Sequence, residues 1–218
     1  MNGNTDDLTA LEELEANYPQ LSSLRPGILA AYRMMAACFD QDGVLYICGN
    51  GGSCADSDHI TGELLKGFCR RRPMTASEAE ALRACASPAQ AALLESKLQR
   101  GLRAVSLMNF PGAASAVAND LGPDLAQAQL LYAMGKPGDL LLGISTSGNA
   151  ENVANAVAVA RMKGIGVIGM TNEDGGRLAR SADVVIQAPT RQTFRAQEYH
   201  LPVYHALCRM IEARYFAE

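Results

Sequence analysis

The stretch that most constrains this chain runs from Leu45 to Phe68. The apolar Tyr46-Ile47-Cys48 passes directly into Gly49-Asn50-Gly51-Gly52-Ser53, and an apolar-periodic segment follows. A buried strand that ends in a glycine turn and opens a helix directs several free backbone N–H groups, and the positive end of the helix dipole, at one point. That point suits a phosphate. The same helix carries His59 and Glu63 four residues apart, so both side chains project from one face about a turn apart. Taken alone, such a pair is equally compatible with a solvated helix face.

A second junction of this kind follows Asp139–Ile144, a continuous apolar run that leads into Ser145-Thr146-Ser147-Gly148-Asn149. Three hydroxyls and successive N–H groups at a helix start hold a phosphate monoester without a lysine, and the Gly-Lys-Ser/Thr element of a Walker A loop is missing. Helix capping is the competing explanation, since Ser, Thr, Gly and Asn are favoured there anyway. Further strands are expected at Val44–Cys48, Ala104–Met108, Gly166–Met170 and Asp183–Gln187. Helices are expected between them near Pro123–Met134 and Glu151–Lys163, and a turn and helix over Thr171–Arg180. Alternation at this spacing implies a parallel sheet with right-handed crossovers and helices on both faces. Ligands of such sheets bind beyond the carboxyl ends of the strands, so the two turns open on one edge and can share one ligand.

Two helices precede the first strand, one around Asp6–Ala16 and one over Pro26–Phe39. Residues 1–40 therefore read as a helical preface that packs on a domain over 41–218, the two making one structural unit. The alanine- and glutamate-rich segment from Thr75 to Gln99 reads as helical, restarting at Ser87 with Pro88 in the first turn. The last helix is expected from about Arg195 to Tyr215. Within it Gln197, Leu201 and His205 share a stripe, and Gln197 and His205 can turn inward together. His59, Glu63, Gln197 and His205 then offer four N/O donors from two helices, a set suited to Zn²⁺ or another borderline divalent ion. The competing reading makes His200 and His205 ordinary residues of an amphipathic helix.

A formal net charge of -4 argues against general affinity for nucleic acid or acidic membranes. The N-terminus lacks the basic and apolar regions of a signal peptide, and the six cysteines show no CxxC spacing. A cytoplasmic protein with reduced thiols is expected.

Together, Cys48–Ser53, His59 with Glu63, Asn119-Asp120, Leu141–Asn149 and Gln197–His205 resemble the sugar isomerase (SIS) domain family, in the right order and over most of the chain. The resemblance implies a three-layer α/β/α sandwich with a five-stranded, flavodoxin-like parallel sheet. It also implies a homotetramer with active sites shared between subunits, and interconversion of sedoheptulose 7-phosphate with D-glycero-D-manno-heptose 7-phosphate. By motif, Asn50, Gly51, Ser53, Asn119, Asp120, Ser145, Thr146, Ser147 and Gln197 would bind the sugar phosphate. His59, Glu63, Gln197 and His205 would bind Zn²⁺, with Glu63 and His205 as catalytic acid and base. Three departures bear on substrate choice: Ala150 in place of a further serine, Phe194 and Ala196 in place of a more polar run, and a longer Met74–Gln99 segment. They leave open an isomerase of another sugar phosphate. Non-catalytic family members, one of them associated with the bacterial replication initiator, are a further alternative, against which His205 speaks.

Overall fold

The computed structural model describes residues 6–216, so the first five residues of the helical preface lie outside it. Helices α1 (Asp6–Asn17) and α2 (Arg25–Asp40) come first, joined by a 3-10 turn at Pro19–Leu24. They are followed by β1 (Leu45–Cys48), α3 (Gly52–Leu65), α4 (Ala76–Cys85), α5 (Pro88–Lys97), β2 (Ala104–Ser106) and α6 (Pro111–Asp120). The chain continues through α7 (Ala126–Met134), β3 (Leu140–Ile144), α8 (Glu151–Met162), β4 (Gly166–Asn172), α9 (Gly176–Ser181), β5 (Val184–Ala188) and α10 (Thr193–Tyr215).

All strand pairs are parallel, in the order β2-β1-β3-β4-β5. Every residue of β1 and β3 is buried, as the continuous apolar runs require of strands covered on both faces. Period-2 alternation splits the core in two. Leu45, Ile47, Leu140 and Leu142 pack with residues of α1, α2, α3 and α10, whereas Tyr46, Cys48 and Leu141 pack with residues of α7, α8 and α9. The result is the expected three-layer sandwich, with the helical preface built into one of the two cores.

Some boundaries differ from the sequence expectation, each for a local reason. Strand β4 runs on through Thr171 and Asn172, which pair with Gln187 and Ala188 of β5, so the turn expected from Thr171 comes only after Asn172 and the helix starts at Gly176. Strand β2 stops at Ser106 instead of Met108, since Ser106 is the last residue paired with β1. The helix expected from Pro123 opens as a 3-10 turn over Pro123–Leu125 behind Gly122, whose φ of 134° no L-residue adopts easily. The restart at Ser87 is as expected: its hydroxyl accepts from the Gln90 N–H in a capping box, and Thr75 does the same for α4.

The α4–α5 hairpin springs from a buried ionic latch that also reaches the site. Arg72 is fully buried; its Nε donates to Glu212 Oε1 at 2.9 Å, Nη1 to the Leu64 carbonyl at 2.8 Å, and Nη2 to the Glu63 carbonyl at 3.0 Å. Glu212 also accepts from the N–H groups of Phe68, Cys69 and Arg70. Burial works to raise this carboxyl, but those backbone donors and Arg72 prevail and hold it below the ordinary glutamate range. The Arg72 guanidinium also lies 4.4 Å over the Phe216 ring. Arg72→Met strands a buried carboxylate and is expected to lower the unfolding free energy by about 3–5 kcal/mol. The exposed Arg83→Ala, which breaks the hairpin's ion pair with Glu95, is expected to cost less than about 1 kcal/mol. Urea titration of the two variants checks both.

Candidate active site

Strand order reverses between β1 and β3, and the loops leaving these two strands form one cavity of about 340 Å³. Asn50, Gly51, Gly52 and Ser53 line it from the first loop, and Ser145, Thr146, Ser147 and Ala150 from the second. Thr193 and Gln197 of α10 close the third side. Three helices, α3, α8 and α10, therefore begin at this cavity, and none has a side-chain cap on its first turn. Their N-terminal dipoles point at it together, the arrangement an anion requires. Among the described residues no lysine or arginine lines the cavity, so hydroxyls and backbone N–H groups must do the holding.

The cradle is braced by residues that spacing alone does not reveal. The side-chain amides of Asn50 and Asn152 bond reciprocally at 2.8 and 2.7 Å, tying one loop to the other. From below, the buried Gln127 donates to the Gly49 carbonyl at 3.0 Å. Gly148 has φ 65°, and a Cβ there would run into the Gly175 carbonyl, so the second loop rests directly on the start of α9. Thr193 joins because α10 begins two residues before the sequence suggests.

Further along the same two helices lies a second cluster. His59 Nε2 stands 3.2 Å from Glu63 Oε1 and 3.5 Å from His205 Nε2. On its other side, His59 Nδ1 is 3.0 Å from the Tyr204 hydroxyl, which donates to Asp56 Oδ1 at 3.2 Å. Burial, reinforced by the neighbouring His59, pushes His205 below the ordinary imidazole range, so at neutral pH it is an unprotonated base. Two imidazole nitrogens and a carboxylate oxygen are a donor set suited to zinc, and separations of 3.2 and 3.5 Å are those of ligands about 2.0–2.2 Å from a common ion. The contacts run pairwise through His59, and among the described residues no three His, Cys, Asp or Glu side chains are gathered into a closed metal centre.

The other expected residues fall elsewhere. Gln197 lies eight residues before His205, about 12 Å along the helix axis, with its amide over Gly52, and thus belongs to the cradle in this structure. Asn119 and Asp120 sit exposed at the end of α6, bonded to each other at 2.8 Å, and do not line the cavity. His200 is buried in the core and faces the Thr171 carbonyl at 3.1 Å, outside the cluster.

This is a SIS-domain protein: residues 12–100 and 118–211 each match a SIS domain, and a parallel five-stranded sheet with an anion cradle at its switch point agrees with that class. The chain belongs, more narrowly, to the phosphoheptose isomerase family. It is 31% identical over 224 residues to the phosphoheptose isomerase of Roseiflexus sp., covering 100% of both chains. It is 36% identical over 186 residues to that of Edwardsiella ictaluri, covering 85% of this chain and 82% of the relative. The phosphoheptose isomerase structure from Neisseria gonorrhoeae superposes with a TM-score of 0.71 at 31% identity, covering 95% of this chain and 93% of that one.

Gly52 offers a test of the cradle. A Cβ there would meet only the flexible end of Gln197, at 2.5 Å. Gly52→Ala is expected to leave the urea midpoint unchanged while weakening inorganic phosphate binding about tenfold, as loss of one charge-assisted hydrogen bond would; calorimetric titration reads the change.

Proposed function

We propose that this protein interconverts sedoheptulose 7-phosphate and D-glycero-D-manno-heptose 7-phosphate through an enediol. The observation that carries this reading is the placement of cradle and acid/base cluster on the same two helices. From Ser53 to His59 is about 9 Å along α3, and from Gln197 to His205 about 12 Å along α10. Phosphate and reacting carbons are thus separated by a distance comparable to an extended seven-carbon sugar phosphate.

In the ketose-to-aldose direction, Glu63 takes a proton from C1 to give the enediolate, and the unprotonated His205 accepts the O1 hydroxyl proton and hands it to O2. Glu63 then returns its proton to C2, leaving the carbonyl at C1. At the far end of the chain, Ser53, Ser145, Thr146 and Ser147 hold the phosphate with the three helix N-termini, and Asn50 and Gln197 face the sugar between. His59, Glu63 and His205 are the residues that would hold Zn²⁺, with Gln197 left to the cradle; bound there, the ion would supply Lewis-acid stabilisation of the developing enediolate. The expected homotetramer belongs to the same proposal, supported by the exposed Leu65, Phe194 and Leu201 on the α3 and α10 surface. A cytoplasmic location also belongs to it, supported by six free cysteines. No helix among the described residues is long and apolar enough to cross a membrane.

Glu63→Gln and His205→Asn are each expected to lower turnover of sedoheptulose 7-phosphate at least about a hundredfold with the urea midpoint unchanged. Near-normal turnover in both would remove the acid/base assignment. In D₂O the aldose product should carry deuterium at C2. Chelation should abolish turnover and Zn²⁺ restore it; turnover indifferent to metal would keep the isomerase and return His59 to a structural role.

A further inference from the structure

A hydrogen-bonded chain from Asp56 through Tyr204 to His59 leads from the protein interior to the cluster, and the reaction above makes no use of it. Tyr204 is buried at 1% exposure, and its hydroxyl lies between His59 Nδ1 at 3.0 Å and Asp56 Oδ1 at 3.2 Å. A phenol has one proton to give, so the direction of the chain is decided by which neighbour needs it more. Asp56 Oδ2 is buried without a partner, and the Tyr204 hydroxyl is the donor found on Oδ1. Withdrawing that proton would leave a shielded carboxylate facing a hydroxyl lone pair, with the desolvation cost of an unpaired charge. Tyr204 therefore donates to Asp56. The Glu63 carboxylate, 3.2 Å from Nε2, competes for the ring proton at the other nitrogen, but it lies at the rim of the helix contact, where solvent and Lys66 at 3.4 Å satisfy it, so the proton stays on Nδ1 and the phenol accepts it.

We propose that Asp56 and Tyr204 are positioning residues that lock His59 in its Nδ1–H tautomer, so that Nε2 faces Glu63 and His205 with its lone pair free for a divalent cation. The purpose of that lone pair rests on the zinc reading given above; the tautomer does not. Packing adds to the lock. The Tyr204 ring meets His59 edge-on, with centroids 5.5 Å apart at 77°, and His205 at 5.0 Å and 88°. One phenol thus sets the planes of both imidazoles. A ligating histidine held through its second nitrogen is the arrangement that tunes metal affinity, and here the holder is a tyrosine with a carboxylate behind it.

The chain contains only three histidines, so ¹⁵N-histidine labelling of the full-length protein gives three sets of ring signals, with His59→Gln identifying one. Long-range ¹H–¹⁵N correlation spectra of the metal-free protein at about pH 8, where free imidazoles are neutral, should show His59 as Nδ1–H. Tyr204→Phe keeps the ring packing and removes only the hydroxyl; Asp56→Ala frees that hydroxyl to donate to Nδ1. Both should move His59 toward the Nε2–H form while leaving His200 unchanged, and Tyr204→Phe, which strips the buried Asp56 of its donor, should also lower the urea midpoint. In Tyr204→Phe, zinc affinity by competition with a chromophoric chelator should fall about 10–100-fold. A wild-type His59 in the Nε2–H form, or a tautomer unaltered in Tyr204→Phe, overturns the proposal. An Nδ1–H tautomer that is lost in Tyr204→Phe, with no zinc bound by either protein, supports the lock and overturns the metal reading alone.

Discussion

Parallel pairing of β1 with β3 is the constraint on which the rest depends. Strands that run the same way must all end on one edge, and the order reversal at this pair lets the two outgoing crossovers diverge to opposite faces. Cys48 lies beside Gly143, so the loops that follow leave the sheet at nearly the same height. The gap between the diverging helices is the cavity. Nothing further is needed to bring Ser53 and Ser145 together, although they are far apart in the chain. The helix starts then set the sign of what the gap holds: with α3, α8 and α10 beginning there uncapped, an anion completes what side chains have left open.

The acid/base cluster depends on a different interaction, the packing of α3 against α10. Both helices are anchored by residues of one core, in which Ile60 and Leu64 meet Val203, Tyr204 and Leu207. His59, Glu63 and His205 occupy the rim of that contact, where apolar packing fixes the backbone and a few polar bonds orient the side chains. The electrostatic and apolar parts of the site thus have separate foundations. Loops from the sheet hold charge, and a helix pair holds the groups that exchange protons.

Much of this was legible from local patterns. Strands buried on both faces wrote themselves as unbroken apolar runs, and Ser87-Pro88 announced a helix start that the capping box bears out. His59 with Glu63, and the Ser145–Asn149 loop, were visible because their spacing lies within one helical turn or one junction. What stayed hidden depends on partners distant in sequence. Arg72 in CRRRP reads as a surface charge, yet its partner is 140 residues away. Asn152, Gln127 and Tyr204 are equally unremarkable until the loop or ring they brace is in place. Thr171 and Asn172 suggested a turn because both are polar, but pairing with β5 supplied backbone bonds that outweighed the local preference. Asn119 and Asp120 carry a family motif to the end of α6, where they bond to each other instead of facing the cradle.

The Arg72 guanidinium has a consequence that reaches past folding. Its two donors to the carbonyls of Glu63 and Leu64 make it the terminal seal of the helix that presents Glu63, while its ion pair with Glu212 joins that helix to the one bearing His205. Evolution therefore cannot tune the integrity of this core and the aim of the proton-transfer groups as independent traits. A residue that never approaches a ligand sits under both kinds of selection, and the hairpin that grows from its neighbours can vary in length only as long as this one side chain stays in place.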